Sequence, residues 1–126
     1  MRAVLDASAL LAFLRDEPGA PVVEAELSAA VISSVNWAEV IQKSLAVGVP
    51  IEGLANDLSA YGLTILPFTA DDAHRAGELW LQTRALGLSL GDRACLATAA
   101  RLNLPALTTD RSWAMLDLGI PVRVIR

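Results

Sequence analysis

Four acidic residues occur at points of the chain where a parallel α/β fold would bring their side chains together. Asp6 and Asp110 each follow a short apolar run, whereas Glu39 and Asp92 each lie near the beginning of a helical pattern. In a parallel sheet the strands end, and the helices that follow them begin, at the same edge. We therefore expect all four carboxylates to face one cleft at that edge.

Each of these acids also has an ordinary structural interpretation. Asp6 would cap the helix that follows it, and Glu39, three residues after Asn36, would complete a capping box. Asp92 would complement the dipole of its helix, and Asp110 would be a turn residue. Any one of these roles is common, but the convergence of four acids on one edge favours a functional site.

Electrostatic repulsion restricts what such a cluster can be. Two carboxylates about 5 Å apart repel each other by about 3 kcal/mol at an effective dielectric constant near 20. Either some of the carboxyl groups keep their protons through a raised pKa, or a divalent cation binds among them. Oxygen ligands without a nearby His or Cys suit Mg²⁺ or Mn²⁺ better than zinc. We expect one or two such ions.

The elements that would position these acids follow from short apolar runs separated by Gly, Pro and capping residues. The runs predict strands at Ala3–Leu5, Val31–Ile32, Leu63–Leu66, Ala106–Thr108 and Val122–Ile125. The periodic segments predict helices from an N-cap at Ser8, over Pro21–Ala29, Val35–Val47, Pro50–Tyr61, Thr69–Leu86 and Gly91–Leu102, and a short helical turn through Trp113. Strands alternating with helices indicate an α/β fold with a central parallel sheet. A change of direction after the third strand would place the fourth beside the first.

Composition bounds the class of protein. A chain of 126 residues suffices for one domain, here expected to span residues 1–126. Hydrophobic residues make up 54% of the chain, and the mean hydropathy is +0.47. No segment approaches the roughly 18–20 apolar residues of a membrane span, so we expect no membrane association. The excess apolar surface predicts a partner or a second copy of the chain.

Charge and cysteine content add two expectations. A net charge of −4 argues against a broad basic face for nucleic acid, although ten Lys and Arg remain available to contact phosphates. The single Cys95 lies in an apolar helical stretch, which predicts an inert core thiol. One cysteine cannot form a disulfide within the chain, in keeping with the reducing cytoplasm.

Four stretches around the acids carry a family resemblance. They are VLDASAL at the start, SSVNWAEV around Glu39, LSLGDRACLATAA around Asp92 and LPALTTDRSW around Asp110. In these stretches the chain resembles PIN-domain ribonucleases, specifically the VapC-type toxins of type II toxin–antitoxin systems. The resemblance implies a three-layer α/β/α sandwich with a five-stranded sheet of order 3-2-1-4-5. It also implies RNA hydrolysis dependent on Mg²⁺ or Mn²⁺, a homodimer, and inhibition by a cognate VapB-type antitoxin.

Carried over by position, the resemblance makes Asp6, Glu39, Asp92 and Asp110 the catalytic acids. Asp6, Asp92 and Asp110 would hold the metal, although the fourth acid varies within the family. Ser8 would be the hydroxyl that orients Asp6 or a metal-bound water. A bound metal lowers the pKa of a water molecule and neutralises the scissile phosphate, so no histidine base is required.

Several other side chains have two interpretations. Arg93 and Arg111 each follow a candidate acid, so each either contacts a phosphate or is a solvated or ion-paired side chain. Lys43, four residues after Glu39, either pairs with it or contacts phosphate. His74, the only histidine, is expected on an exposed helix face. The tryptophans are expected to pack in the protein rather than stack on bases: Trp37, Trp80 and Trp113.

The predicted function is therefore that of a metal-dependent endoribonuclease toxin acting on single-stranded or loop RNA. Its antitoxin is expected to dock in an apolar groove that includes Leu11, Leu14 and Val40. The main alternative is a catalytically inactive PIN-like module that acts through its protein partner. A phosphoacceptor domain is disfavoured because no Lys follows Pro105. A phosphatase would require a D-x-D motif, but position 8 is Ser8.

Overall fold

Five short parallel strands form the central sheet of the computed structural model, which describes residues 1–126. The strands are β1 (Ala3–Leu5), β2 (Ala30–Ser33), β3 (Thr64–Leu66), β4 (Ala106–Thr108) and β5 (Val122–Val124). They are ordered β3-β2-β1-β4-β5, with Leu5 of β1 paired to Ile32 on one side and to Leu107 on the other. The predicted sheet order is confirmed.

Helices cover both faces of this sheet. They are α1 (Ala7–Leu14), α2 (Ala20–Glu26), α3 (Ser34–Ala46), α4 (Leu54–Tyr61), α5 (Ala70–Glu78), α6 (Trp80–Thr83) and α7 (Leu90–Leu102), with short 3-10 helices at Leu27–Ala29, Arg84–Leu86 and Arg111–Met115. Because side chains alternate along a strand, Leu5 and Ile32 face one side of the sheet while Val4 and Val31 face the other. The result is the expected three-layer α/β/α arrangement.

The two hydrophobic cores differ in the elements that build them. Leu5 and Ile32 pack with buried residues of α1 to α4, such as Leu10 and Val40. On the opposite face, Val4 packs with residues of α5 and α7 and with Trp113. Burial of apolar side chains on both faces explains why the inner strands consist of continuous rather than alternating apolar residues.

Three of the predicted helix boundaries are wrong. Asp6 rather than Ser8 is the N-cap of α1, since its side chain accepts a hydrogen bond from the backbone N–H of Ala9. α4 begins four residues after Pro50 because Gly53 has φ +76°, a left-handed conformation that a right-handed helix cannot include.

The predicted Thr69–Leu86 helix is instead divided into α5, α6 and a 3-10 turn. The division occurs at Leu79, whose carbonyl accepts bonds from the Thr83 hydroxyl at 2.8 Å and from the N–H groups of Gln82 and Thr83. A threonine hydroxyl that bonds back to the preceding turn bends a helix.

The surface shows which apolar residues remain available to partners. Leu11 and Val40 are buried in the core, so the prediction that they line an antitoxin groove is wrong. Leu14 is only partly buried, and the chain after α3 exposes Val47 and Val49. No helix combines the length and apolar character needed to cross a bilayer.

Candidate active site

Asp6 lies at the end of β1, where it is 4% exposed. Its Oδ1 atom accepts hydrogen bonds from Ser8 Oγ at 2.7 Å and from the Ala9 N–H at 2.8 Å. Its Oδ2 atom accepts a bond of 2.5 Å from Thr108 Oγ1. The residue therefore caps α1, as its structural interpretation predicted, and is also joined to the end of β4.

The ionised form of Asp6 is disfavoured by its surroundings. Burial raises the pKa of its carboxyl group from 3.8 to about 6, against the opposing effect of the bonds from Thr108, Ser8 and Ala9. The negative charge of Asp92 contributes to the same increase. No arginine, lysine or histidine forms an ion pair with Asp6. This carboxyl group is therefore hydrogen-bonded but has no compensating positive charge.

Two hydroxyl groups connect β1 to the chain after β4. Ser8 Oγ, besides donating to Asp6, accepts a bond of 3.0 Å from the Thr109 N–H. Thr108 Oγ1 accepts a bond of 3.1 Å from the Asp110 N–H. Ser8 was predicted from the sequence, whereas Thr108 was not. Thr108 could have been found from its position, because it is a polar residue at the buried end of a strand that was predicted to lie beside β1.

Glu39 lies in the second turn of α3 and is partly buried. Its Oε1 atom accepts a bond of 2.9 Å from Asn36 Nδ2, and the same nitrogen donates at 2.9 Å to the carbonyl of Gly91. The N-cap of α3 is Ser33, so the predicted capping box between Asn36 and Glu39 is wrong. Asn36 was not recognised from the sequence as part of the site.

Asp92 lies in the first turn of α7 and completes a capping box. Its Oδ2 accepts a bond of 2.9 Å from the Ser89 N–H, while its own N–H donates to Ser89 Oγ at 3.1 Å. This position places its charge at the positive end of the helix dipole, as its structural interpretation predicted. The Asp92 carboxylate is nevertheless close enough to Asp6 to raise the pKa of that residue.

Cys95 lies within electrostatic reach of three of the predicted acids. Burial raises the pKa of its thiol well above the ordinary value, and the charges of Asp6, Asp92 and Glu39 raise it further. The negative charges of one acid after β1, one in α3 and one in α7 therefore all act on the same point of α7. The same two effects keep the thiol protonated, consistent with the inert core cysteine that was predicted.

Asp110 is placed differently from the other three acids. It is exposed and caps the 3-10 helix Arg111–Met115, where its Oδ1 accepts bonds from the Ser112 N–H at 2.9 Å and Ser112 Oγ at 2.8 Å. Its backbone N–H, rather than its carboxylate, contacts the network around Asp6 through Thr108. The turn role of Asp110 is thus observed, and its metal-binding role remains a prediction.

The basic residues near the site make mainly backbone contacts. Arg93 Nη1 donates to the carbonyl of Ala76 at 2.8 Å, and Arg111 Nε donates to the carbonyl of Arg126 at 3.2 Å. Lys43 makes no ion pair with Glu39. A phosphate contact by Arg93 or Arg111 stays a prediction. His74 is exposed, as expected, and lies 3.6 Å from Glu78.

The donor chemistry of the site fits a divalent metal ion. The five ion pairs of the protein include none of the four predicted acids. No three His, Cys, Asp or Glu side chains already form a closed metal-ligating group. An incomplete set of carboxylate oxygens suits Mg²⁺, which usually retains several water molecules among its ligands. A cavity of about 490 Å³ lies elsewhere, beside α5, the end of α7 and the loop before β5.

Comparison with known proteins identifies the family. The model of the PIN domain family matches residues 3–117, a segment that contains all four predicted acids. The chain belongs to the PIN domain family. No curated protein sequence matches this PIN domain.

Solved structures similar to this PIN domain come from several bacteria. A toxin–antitoxin complex from Klebsiella pneumoniae has a chain similar to it, with a TM-score of 0.74 and 23% identity over 98% of each chain. DNA-bound VapBC from Salmonella typhimurium gives a TM-score of 0.74 and 17% identity over 98% of this chain and 97% of that one. FitAcB from Neisseria gonorrhoeae gives 0.72 and 20% identity over 95% of each. These likenesses establish the shared fold.

Proposed function

We propose that this PIN domain is a VapC-type toxin, a metal-dependent endoribonuclease that hydrolyses RNA phosphodiester bonds. The observation that carries the proposal is Asp6, a buried carboxyl group at the end of β1 that has no ion-pair partner and lies near the negative charge of Asp92. A buried carboxylate beside another negative charge is stabilised by a nearby positive charge, which a divalent cation would supply. RNA as substrate implies action in the cytoplasm.

The proposed division of roles combines the family resemblance with the contacts of Asp6. Asp6, Asp92 and Asp110 would hold one or two Mg²⁺ or Mn²⁺ ions, which when bound supply hydroxide near neutral pH and neutralise the scissile phosphate. Ser8 and Thr108 hold the two oxygens of Asp6 in a fixed orientation. Because the pKa of Asp6 is about 6, its carboxyl group is mostly ionised at neutral pH and available as a ligand.

The proposed partners are an antitoxin and a second copy of the chain. The similar Klebsiella pneumoniae and Salmonella typhimurium structures are toxin–antitoxin assemblies, which supports a cognate VapB-type antitoxin that inhibits cleavage. Large apolar side chains are exposed on several elements, which supports more than one protein contact. They include Leu45, Val47, Val49, Trp80, Leu81, Leu90 and Met115.

A second candidate function is a PIN-like module that binds its partner without catalysis. The observation in its favour is that Asp6 and Asp110 cap helices, that Asp92 completes a capping box, and that the side chains do not form a closed metal-ligating group. In that case the acids would have structural roles alone, and the purified chain would take up no metal.

RNA cleavage and metal binding measured on the same variants separate the two functions. Wild type, Asp6→Ala, Asp92→Asn and the exposed control Asp117→Asn are each incubated with single-stranded RNA or DNA in Mg²⁺, Mn²⁺ or EDTA. We expect wild type and Asp117→Asn to cleave RNA only with metal, and the two site variants to be inactive. Equal cleavage by all four proteins would indicate contamination or another site. Calorimetric titration with Mn²⁺ that detects no uptake, together with no cleavage, would favour the binding module.

A further inference from the structure

We propose that Asn36 and Gly91 are positioning residues that together fix the Glu39 carboxylate against the first turn of α7, beside Asp92. The inference rests on the proposed nuclease function for its catalytic consequence. Its structural part, the coupling of Gly91 to Glu39, is independent of that function. Neither residue was selected for this role from the sequence.

The amide of Asn36 contacts two acceptors on two different helices. It is 1% exposed, and its Nδ2 donates to Glu39 Oε1 and to the Gly91 carbonyl, each at 2.9 Å. These two acceptors fix the orientation of the amide, because the flipped group would place an oxygen against both. Asn36 thereby bridges the Glu39 side chain in α3 and the backbone of α7.

The remaining atom of this amide indicates why asparagine is present. Asn36 Oδ1 is buried and has no hydrogen-bond partner in the protein. A buried acceptor without a partner is destabilising, so an apolar side chain would suit this position better if stability were the only requirement. The asparagine is explained by the two hydrogen bonds that its nitrogen donates.

Gly91 provides the space that the Glu39 carboxylate occupies. A Cβ atom at Gly91 would lie 2.6 Å from Glu39 Cδ and 2.7 Å from Oε2, both closer than carbon atoms of real side chains approach. The backbone conformation of Gly91 does not itself require glycine, because its φ is not positive. Gly77 in α5 also lacks a positive φ, but an added Cβ there would have no neighbour within 4 Å. Gly77 is therefore a matched control.

The bridge determines where the Glu39 carboxylate lies relative to that of Asp92. An alanine at position 91 forces the flexible end of Glu39 to move, which breaks its bond with Asn36, while the backbone of α7 can stay in place. Since Gly91 directly precedes Asp92, the bridge sets the distance between the Glu39 and Asp92 carboxylates. Replacing Asn36 or Gly91 with alanine should therefore alter the site without unfolding the protein.

A double-mutant cycle measured by urea unfolding tests the structural part. Gly91→Ala and Gly77→Ala are each made in wild type and in Glu39→Ala. We expect Gly91→Ala to raise the unfolding equilibrium constant, in favour of the unfolded chain, only when Glu39 is present, with a coupling of about tenfold. Gly77→Ala should have the same effect in both backgrounds. Identical effects of Gly91→Ala in the two backgrounds would overturn the contact.

Kinetics and metal binding test the positioning role. Two variants, Asn36→Ala and Asn36→Asp, remove the hydrogen bonds that Nδ2 donates, and the aspartate places an acceptor oxygen there instead. Both should lower kcat for RNA cleavage by about 10- to 100-fold and weaken Mn²⁺ binding measured by calorimetry. KM for RNA should change little, because neither residue is placed in contact with substrate. Gly91→Ala should behave like Asn36→Ala, and Gly77→Ala like wild type. In Gly91→Ala, Glu39→Asp should recover part of the lost kcat because its side chain is one methylene shorter.

The outcomes distinguish this inference from the proposed function. If wild type cleaves RNA and the Asn36 and Gly91 variants match it in kcat and Mn²⁺ affinity, the positioning role is refuted while the nuclease assignment stands. If wild type does not cleave RNA, the nuclease assignment fails and the positioning role fails with it. The unfolding cycle then still decides whether Gly91 and Glu39 are in contact.

Discussion

Asp6 and Asp72 are both buried aspartates at the beginning of a helix, and their pKa values shift in opposite directions. Burial raises the pKa of Asp6 to about 6, and its hydrogen-bond donors only reduce that increase. Burial acts in the same direction on Asp72, but hydrogen bonds from Arg101 and Thr69 and the charge of Arg101 hold its pKa below the ordinary value. Arg101 donates to both oxygens of Asp72, at 2.7 and 3.1 Å.

The difference between the two acids is the presence of a cation. Asp72 has its cation within the protein, and the pair joins α5 to α7 as a structural contact. Asp6 has only neutral donors and the negative charge of Asp92 in its surroundings. A buried acid without a protein cation is the arrangement expected of a site that receives its positive charge from a bound ion. The two acids thus differ in whether the protein itself supplies a compensating positive charge.

The largest expected effect comes from removing the uncompensated charge with Asp6→Asn. RNA cleavage should fall by about 100-fold or more, because a proposed metal ligand is lost. In EDTA near neutral pH, however, the variant should be more stable than wild type by up to about 3 kcal/mol. Urea unfolding of both proteins across a pH series measures this difference.

The direction of the pH dependence follows from the raised pKa of Asp6. The Asp6 carboxyl group binds its proton more tightly in the folded protein than in the unfolded chain, where its pKa is 3.8. Wild-type stability should therefore decrease as the pH rises from about 4 to about 6, and Asp6→Asn should lack this decrease. Added Mn²⁺ should stabilise wild type but not the variant. A variant that is less stable than wild type in EDTA at every pH would contradict the comparison.

A smaller effect, in the opposite direction, is expected from removing the cation that compensates Asp72. Arg101→Ala leaves a buried carboxylate unpaired and should destabilise the fold by about 2 kcal/mol, since the arginine side chain is itself 37% exposed. Because the pKa of Asp72 is lowered, its stabilising contribution disappears as the pH falls through the folded-state value. The cost of Arg101→Ala should shrink in acid, while RNA cleavage per folded molecule stays at the wild-type level. Equal stability of variant and wild type at neutral pH would show that the pair contributes little.

The smallest effect concerns two capping boxes of the same type. Thr69 and Asp72 begin α5, and Ser89 and Asp92 begin α7. Thr69→Ala and Ser89→Ala should each destabilise the protein by about 1 kcal/mol. Only Ser89→Ala should also reduce RNA cleavage, because it loosens the turn that holds Asp92. Unfolding and cleavage measured on both variants test this, and a similar loss of cleavage in Thr69→Ala would contradict the separation.

The sequence by itself determined the sheet and the approximate location of the site. The strands are continuous apolar runs, and the boxes that begin α5 and α7 depend on residues three apart, so both are encoded locally. Local patterns also explain why Asp6, Glu39 and Asp92 were expected at one edge. The predicted starts at Ser8 and Pro50 are wrong because Asp6 and Gly53 begin those helices instead, and the division at Leu79 was missed because it involves the Thr83 hydroxyl.

Only the tertiary structure decided how each acid is held. Thr108 donates to Asp6 across 102 positions of sequence, and Asn36 donates to Gly91 across 55. Arg101 reaches Asp72 across 29 positions. Such contacts depend on the packing of whole helices and strands against one another, and no short-range pattern specifies them. For that reason the sequence predicted the acids at one edge of the sheet, while the folded chain determined that Asp72 is paired with a cation of the protein and that Asp6 is not.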